Sequence, residues 1–273
     1  MSAPSLGRLL ISHITLRGPE LQQLYAQIAA RPGISYPELA AAAVPASAAR
    51  DPFDLGEAPL AEALNFLLVA RVIEQEGPAR RRARFRATPL LTGAPFALLL
   101  LRHIQAHPEE RQRAPALIYR ELVAADALAL TPQAIRDRME RGPLRSLFAW
   151  TGEKITFWTH LAHYLGLARR LERSAEVLIV PRPGLVLAAL RWAAKDDLSG
   201  ASSLRDALDA IDGSLFACYT SRGRVHRGLA QALVALERSG QVRLSHSADA
   251  ARSLLLGDRR VSELRLASAG GGA

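Results

Sequence analysis

The sequence predicts a mainly α-helical protein with small β-hairpins, organised as three similar units in tandem. Two observations lead to this fold class. Most of the 273-residue chain has the apolar spacing of amphipathic helices. Three stretches also repeat one order of long apolar helix, small residue, basic strand, turn and second strand. With 49% hydrophobic residues, a chain of this length can bury the cores of two or three small domains.

The three repeats align on a small residue that ends a helix. The repeats are Pro59 to Thr88, Lys154 to Pro181 and Val225 to Leu266, with Ala70, Gly166 and Gly240 at equivalent positions. Glycine readily takes the left-handed conformation that closes a helix, and apolar alternation with period two follows each small residue. We therefore expect a hairpin after each helix, turning at "EGPARRR" in the first repeat and at "ERSAE" in the second, with a longer loop in the third.

Further helices are predicted before each repeat. The first repeat follows "PELQQLYAQIAARPG" and "SYPELAAAAV", where Ser35 and Glu38 have capping-box spacing. The second follows three helical segments (96–107, 114–126 and 131–142), and the third follows two (184–197 and 202–212). These segments divide the chain into units 1–92, 93–182 and 183–273.

Three helices followed by a two-stranded hairpin resemble the winged-helix variant of the helix-turn-helix domain. The resemblance covers nearly the whole chain as three tandem domains, at the level of the superfamily. It implies that the third helix and the hairpin, or wing, of a unit face DNA. The second unit departs from the pattern by an extra helix, and the third by an insertion in its hairpin.

The charge of the chain favours partners that carry phosphate. The formal net charge is +9 and the sequence pI is near 10.6. The cluster "ARRRARFR" is expected on the first hairpin, where it either contacts phosphates or the minor groove or forms a solvated turn. The cluster "TSRGRVHRG", which includes His226, is expected at the start of a helix, where free amides attract anions. The candidate DNA-binding residues are Arg80, Arg81, Arg82, Arg84, Arg86, Lys154, Arg169, Arg170, Arg173, Arg222, Arg224 and Arg227.

Five aromatic residues lie between Phe148 and Tyr164 and allow three interpretations. On a helix that begins after Thr151, Ile155, Trp158, Leu161, Ala162 and Leu165 form one apolar stripe, with Thr159, His160 and His163 largely outside it. The aromatic residues could fill the core of the second unit, stack against bases or line a catalytic pocket. The apolar stripe favours the first interpretation, in which the aromatic residues fill the core.

Catalytic and metal-binding patterns are weak. His103 with His107, and His160 with His163, could each reach one metal ion from a helix face, but a third ligand is missing. The sequence has no Gly-rich phosphate loop, nucleophile elbow or paired-carboxylate motif of the nuclease kind. Cys218 lies among apolar residues, where an inert buried thiol is expected. We therefore expect no enzyme activity, no cofactor and no metal.

These observations predict a non-enzymatic protein that binds DNA, with duplex DNA as the expected partner, as a regulator or as a subunit of a larger DNA-handling complex. Other protein subunits or a second copy of the chain stay open as further partners. The alternative is a winged-helix scaffold that binds proteins without a direct DNA role, as in accessory subunits of bacterial condensin-like complexes. The apolar runs are too short for a membrane span, no signal peptide is evident, and the single cysteine fits a reducing compartment. The expected location is the cytoplasm.

Overall fold

The computed structural model describes residues 8–43, 57–77, 82–89, 94–171, 174–194, 202–247 and 253–267. The protein is mainly α-helical with small antiparallel sheets, as the sequence predicts. Among the described residues, no helix combines the length and apolar character that crossing a bilayer requires.

The first unit contains three helices and a three-stranded sheet. Its elements are α1 (Gly18–Ala30), β1 (Ile34–Ser35), α2 (Tyr36–Ala43), α3 (Glu57–Val69), β2 (Ile73–Glu76) and β3 (Arg84–Ala87). A 3-10 turn at Leu10–Ser12 precedes them. The strand order is β1-β3-β2, so the short first strand pairs with the last strand of the hairpin.

The second unit has the extra helix that the sequence predicts. Its elements are α4 (Phe96–Gln105), α5 (Ala114–Ala124), β4 (Ala129–Leu130), α6 (Pro132–Arg141), α7 (Gly152–Leu165), β5 (Arg169–Arg170) and β6 (Val177–Leu178). Short 3-10 turns occupy Glu110–Arg113 and Pro143–Ser146. The strand order is β4-β6-β5, which repeats the pairing of the first unit.

The third unit has the predicted insertion in its hairpin. Its elements are α8 (Pro183–Ala193), β7 (Ser202–Ser203), α9 (Leu204–Ser214), α10 (Arg227–Arg238), β8 (Val242–Ser245), β9 (Leu254–Leu256), β10 (Arg259–Val261) and β11 (Glu263–Leu266). The main sheet has the order β7-β11-β8, and the inserted strands β9 and β10 form a separate antiparallel pair. The order of helix, short strand, two helices and two strands therefore occurs three times. The predicted boundaries of the units stay a prediction.

The helix ends are as expected at two of the three aligned positions. Gly166 and Gly240 have φ values of 81° and 71°, the left-handed conformation that closes α7 and α10. In the first unit the left-handed residue is Arg71 (φ 60°), which follows Ala70. The predicted capping box forms only in part: the Ser35 backbone N–H donates to the Glu38 carboxylate (2.7 Å), but the Ser35 hydroxyl donates to that carboxylate as well.

The three units share one continuous hydrophobic core. Phe66 on α3 makes an edge contact with Phe157 on α7, with ring centres 6.3 Å apart. The third unit docks on the corner after α5, where the Ser221 N–H donates to the Ala124 carbonyl (2.9 Å). Because these contacts join neighbouring units, each pre-hairpin helix (α3, α7 and α10) has its exposure set by packing between units as well as within them.

Candidate nucleic-acid interface

The pre-hairpin helix of the first unit is covered. Its buried residues are Leu60, Ala63, Leu64, Phe66 and Leu67. Of the α3 side chains from residue 59 onward, Pro59 alone is exposed. A helix covered in this way cannot enter a DNA groove unless the elements packed on it, mainly α1 and α2 of the same unit, move away.

The pre-hairpin helix of the third unit has an open polar face. Arg227, Gln231, Ala235 and Arg238 are exposed at spacings of four, four and three residues, which place them on one side of α10. The opposite side buries Leu229, Leu233 and Leu236. The α10 helix is therefore amphipathic, with one face in the core and one face toward solvent.

Two adjoining concave surfaces flank this face. One, of about 450 Å³, lies between the loop before α10 and the tip of the β9–β10 hairpin. The other, of about 760 Å³, follows the exposed side of α10. Arg227 and Gly257 line both. We call the combined surface the α10 groove, defined by Arg222, Arg224, Arg227, Gln231, Arg238 and Gly257.

The arginines of the α10 groove differ in their pairing. Arg227 is held by Asp126: its Nε lies 2.9 Å from the carboxylate, and its Nη2 donates to the Asp126 carbonyl (2.9 Å). A carboxylate therefore already faces the start of α10, where the sequence predicted an anion site. Arg222 and Arg224 lie in the loop before α10 and not on the helix itself. Their side chains, like that of Arg238, are exposed and form no ion pair within the described part of the chain.

Two further arginines face each other on the main sheet of the third unit. Arg243 on β8 and Arg265 on β11 are direct cross-strand partners, and both are exposed. Like charges placed opposite each other destabilise a sheet. An anionic partner would relieve this repulsion.

The first hairpin has the predicted alternation but a balanced charge. Arg84 and Arg86 are exposed, whereas Phe85 is buried against the helices, as predicted. In the sheet register, however, Arg84 lies opposite Glu76, and Arg86 lies opposite Glu74.

Both arginines of this hairpin also have partners in the described residues. Arg86 Nη2 is 3.2 Å from the Glu76 carboxylate, and Arg84 Nη1 donates to the Gly33 carbonyl (3.0 Å). Arg82 is exposed at the start of the returning segment, while Arg80 and Arg81 lie outside the described residues. The basic ridge expected here is therefore partly neutralised by glutamates of its own sheet.

The candidate residues of the second unit lie in two places. Lys154, at the start of α7, donates to the Ala149 carbonyl and lies 4.7 Å from the centre of the Phe148 ring. Burial, together with the nearby Arg111 guanidinium, lowers the pKa of Lys154. Arg169 and Arg170 are exposed on β5, and Arg173 lies outside the described residues.

The aromatic residues of the second unit fill its core, as the apolar stripe predicts. Trp158 and Phe157 are buried, and the Trp158 indole donates to the Pro115 carbonyl (3.0 Å). Trp150 is buried as well, and its indole donates to the Leu144 carbonyl. The interpretation that Trp158 or Phe157 stacks against bases is therefore wrong. One detail of the stripe is also wrong: Thr159 is buried, and its hydroxyl is satisfied by donating to the Thr156 carbonyl within the helix.

His107 of the first histidine pair is hydrogen-bonded to the backbone on both ring nitrogens, and Cys218 is buried. His107 Nε2 lies 3.1 Å from the Val69 carbonyl, and its Nδ1 accepts from the Glu109 N–H (3.1 Å). The described residues contain no group of three or more His, Cys, Asp or Glu side chains arranged to hold a metal ion. Cys218 is buried as predicted, and burial followed by Asp212 and Asp209 raises the pKa of its thiol.

Several residues of the α10 groove escaped the sequence analysis. Gln231 and Arg238 continue the helical spacing from Arg227, so the periodicity of "RGLAQALVALER" could have identified them. Asp126 could not have been found in this way, because 101 positions separate it from Arg227 in the sequence.

Comparison with known proteins does not identify the chain. No protein-family model matches it, and no curated protein matches it. Among solved structures, the magnesium ion-bound crystal structure of SspB aligns with 94% of this chain and 83% of its own, at 13% sequence identity and a TM-score of 0.41. A likeness of this size establishes neither a common fold nor a common function.

Proposed function

We propose that this chain is a non-enzymatic DNA-binding protein of three tandem winged-helix units, which contacts duplex DNA through the α10 groove of its third unit. One observation carries the proposal. The exposed polar face of α10 lies between an arginine-bearing loop and a projecting hairpin. Winged-helix domains contact DNA with a helix and the hairpin beside it, and here the inserted β9–β10 hairpin takes the position beside α10.

The dimensions and chemistry of the α10 face suit a DNA groove. An α-helix with its side chains is about 10 to 12 Å across, and the major groove of B-DNA is about 12 Å wide. With α10 in the groove, Arg222, Arg224 and Arg238 would supply charge to the flanking phosphates, contacts that position a protein without reading sequence. Gln231, in the middle of the exposed face, has the amide that pairs with adenine in base readout.

The other two units support this surface. The buried face of α3 and the aromatic core around α7 favour a structural role for the first two pre-hairpin helices. The Asp126 corner of the second unit holds Arg227 at the centre of the groove. A protein with one DNA-binding unit and two packed supporting units suits a regulator or a subunit of a DNA-handling complex.

A protein-binding scaffold is the second candidate, and one observation favours it. Leu255 at the hairpin tip is 49% exposed and borders the α10 groove. An exposed leucine beside a concave surface is also what a protein partner would use.

Binding of the purified protein to a random-sequence duplex, titrated with salt, tests the proposal. Each phosphate contact contributes about −0.9 to the slope of log affinity against log salt. With three unpaired arginines in the groove, we expect a slope of about −3 or steeper. Absence of binding at low salt would contradict DNA binding and favour the scaffold.

A further inference from the structure

A second basic cluster lies where the first two units meet, and it shares no residue with the α10 groove. Arg17 directly precedes α1, and Arg182 directly precedes α8. His160 and His163 are on the last two turns of α7, and Arg170 is on β5. We call these five residues the junction cluster. Arg17 is far in the sequence from the other four residues, so it joins them only in the folded chain.

Close packing of the backbone holds the cluster in place. Gly18 at the start of α1 lies against the ring of Tyr164, whose hydroxyl donates to the Gln22 side chain (2.8 Å). The Arg182 N–H donates to the carbonyl of Gly166 (2.7 Å), the residue that closes α7. The starts of α1 and α8 are thereby both fixed beside the end of α7.

The ring of His163 faces hydrogen-bond donors on both sides. Arg182 Nη2 lies 3.0 Å from Nε2, and the Arg170 backbone N–H lies 3.4 Å from Nδ1. A neutral imidazole has one N–H and one acceptor nitrogen, so it can accept only one of these two bonds. The other ring nitrogen points its own hydrogen at a donor. An acceptor to one side of this pair, within reach of both Arg182 Nη2 and His163 Nε2, would accept from both groups.

The charges in the cluster are of one sign. Burial, then Arg170 and Arg17, lowers the pKa of His160. Burial, then Arg182, Arg170 and His160, lowers the pKa of His163. Within the described residues, none of the three arginines forms an ion pair with a carboxylate. The Glu20 carboxylate on α1 instead accepts from the Arg17 backbone N–H (3.1 Å).

We propose that the junction cluster is a binding site for a phosphate group. The exposed Arg182 guanidinium has parallel N–H donors that match phosphate oxygens. With Nδ1 of His163 accepting from the Arg170 N–H, the Nε2–H adds a third donor, and Arg17 and Arg170 add positive charge. The phosphate is either a free monophosphate or part of a nucleic-acid backbone. The site does not depend on the function proposed for the α10 groove.

The histidine Cε1–H signals in NMR report on this site directly. We would titrate the full chain with inorganic phosphate, replacing chloride at constant ionic strength. The signals of His160 and His163 are expected to shift to saturation, while the signal of the exposed His246 stays constant. Arg182→Ala should weaken phosphate binding about tenfold or more, since a hydrogen bond to a charged group contributes about 1.5 to 3 kcal/mol.

A matched control separates this site from the α10 groove. Arg224→Ala removes the same charge from an exposed arginine of the groove, and it should leave the phosphate titration unchanged. Equal affinity of Arg182→Ala and wild type for the probe that saturates would overturn the proposal. Failure of this test leaves DNA binding by the α10 groove unaffected, because the two sites have no residue in common.

A second titration with a short random duplex identifies the source of the phosphate. It uses the Arg222→Ala, Arg224→Ala, Arg238→Ala variant, in which the α10 groove is weakened. Saturating shifts of His160 and His163 with duplex would assign the site to a nucleic-acid backbone. Saturating shifts with inorganic phosphate alone would assign it to a free monophosphate. Either result supports the junction cluster as a phosphate site, and saturation with neither probe would overturn it.

Discussion

The first and third units have the same order of elements and the same strand pairing, yet they present different surfaces. In the first unit, α3 is covered, and the hairpin arginines lie opposite Glu74 and Glu76. In the third unit, α10 has an open face, and Arg243 lies opposite Arg265. Element order alone therefore does not determine which unit meets a partner.

Packing within and between units accounts for this difference. In the first unit, α3 is covered by α1, α2 and the segment before α1, where His13 packs edge-on against Phe66, and it also meets Phe157 of α7. The third unit docks through the loop before α10 and through the start of that helix, which leaves the remaining face free. A repeated fold can thus leave one copy of a helix covered and another open.

Truncation of a buried aromatic residue on α3 should have the largest effect. Phe66 is fully buried, and Phe66→Ala should lower the free energy of unfolding by about 3 to 5 kcal/mol. The matched change on the open helix, Gln231→Ala, should change it by about 0.5 kcal/mol or less, as expected for a surface position. Urea unfolding measures both. Equal losses in the two variants would mean that α3 and α10 do not differ in burial.

The pH dependence of stability tests the interior of the first unit. His13 packs edge-on against Phe66, and burial lowers its pKa to about 4, with the Glu62 carboxylate opposing that shift from 3.5 Å. The ring stays neutral in the folded state and takes up a proton on unfolding below pH 6.5. The proton uptake by His13 should therefore lower the free energy of unfolding by about 2 kcal/mol as the pH falls from 7 to 5.

Substitution of His13 isolates this contribution from that of the other histidines. His13→Phe should flatten the loss of stability between pH 7 and pH 5, as measured by urea unfolding at each pH. His103, His107 and His226 also have pKa values lowered mainly by burial, and they stay in the variant as a constant background. An unchanged pH profile in His13→Phe would show that His13 does not titrate as its burial requires.

Removal of the carboxylate that faces Arg227 should have a smaller effect, in the third unit. Asp126 has a left-handed backbone (φ 54°), which asparagine tolerates, so Asp126→Asn should fold normally. A half-exposed ion pair contributes about 0.2 to 1 kcal/mol, so the freed Arg227 should tighten duplex binding by up to about fivefold. Fluorescence anisotropy measures the change. Asp137→Asn on α6 removes an equal charge outside the groove and serves as the control.

The sequence predicts the local elements of the fold better than their partners. Periodicity predicts the helices, and alternation predicts that Phe85 turns inward while Arg84 turns outward. Periodicity does not predict that Glu74 and Glu76 pair with this strand, because register depends on the folded sheet. The burial of α3 and the contact between Asp126 and Arg227 likewise depend on docking between distant segments.

The most direct test of the account compares duplex binding by two variants that lose equal charge. One removes Arg222, Arg224 and Arg238 from the α10 groove, and the other removes Arg82, Arg84 and Arg86 from the first hairpin, each by substitution with alanine. We predict that the groove variant loses more affinity for duplex DNA, and that its salt slope falls by up to about one unit per lost phosphate contact. The hairpin variant should keep most of its affinity and most of its salt slope. A larger loss in the hairpin variant, with the groove variant folded and unchanged in affinity, would contradict the account.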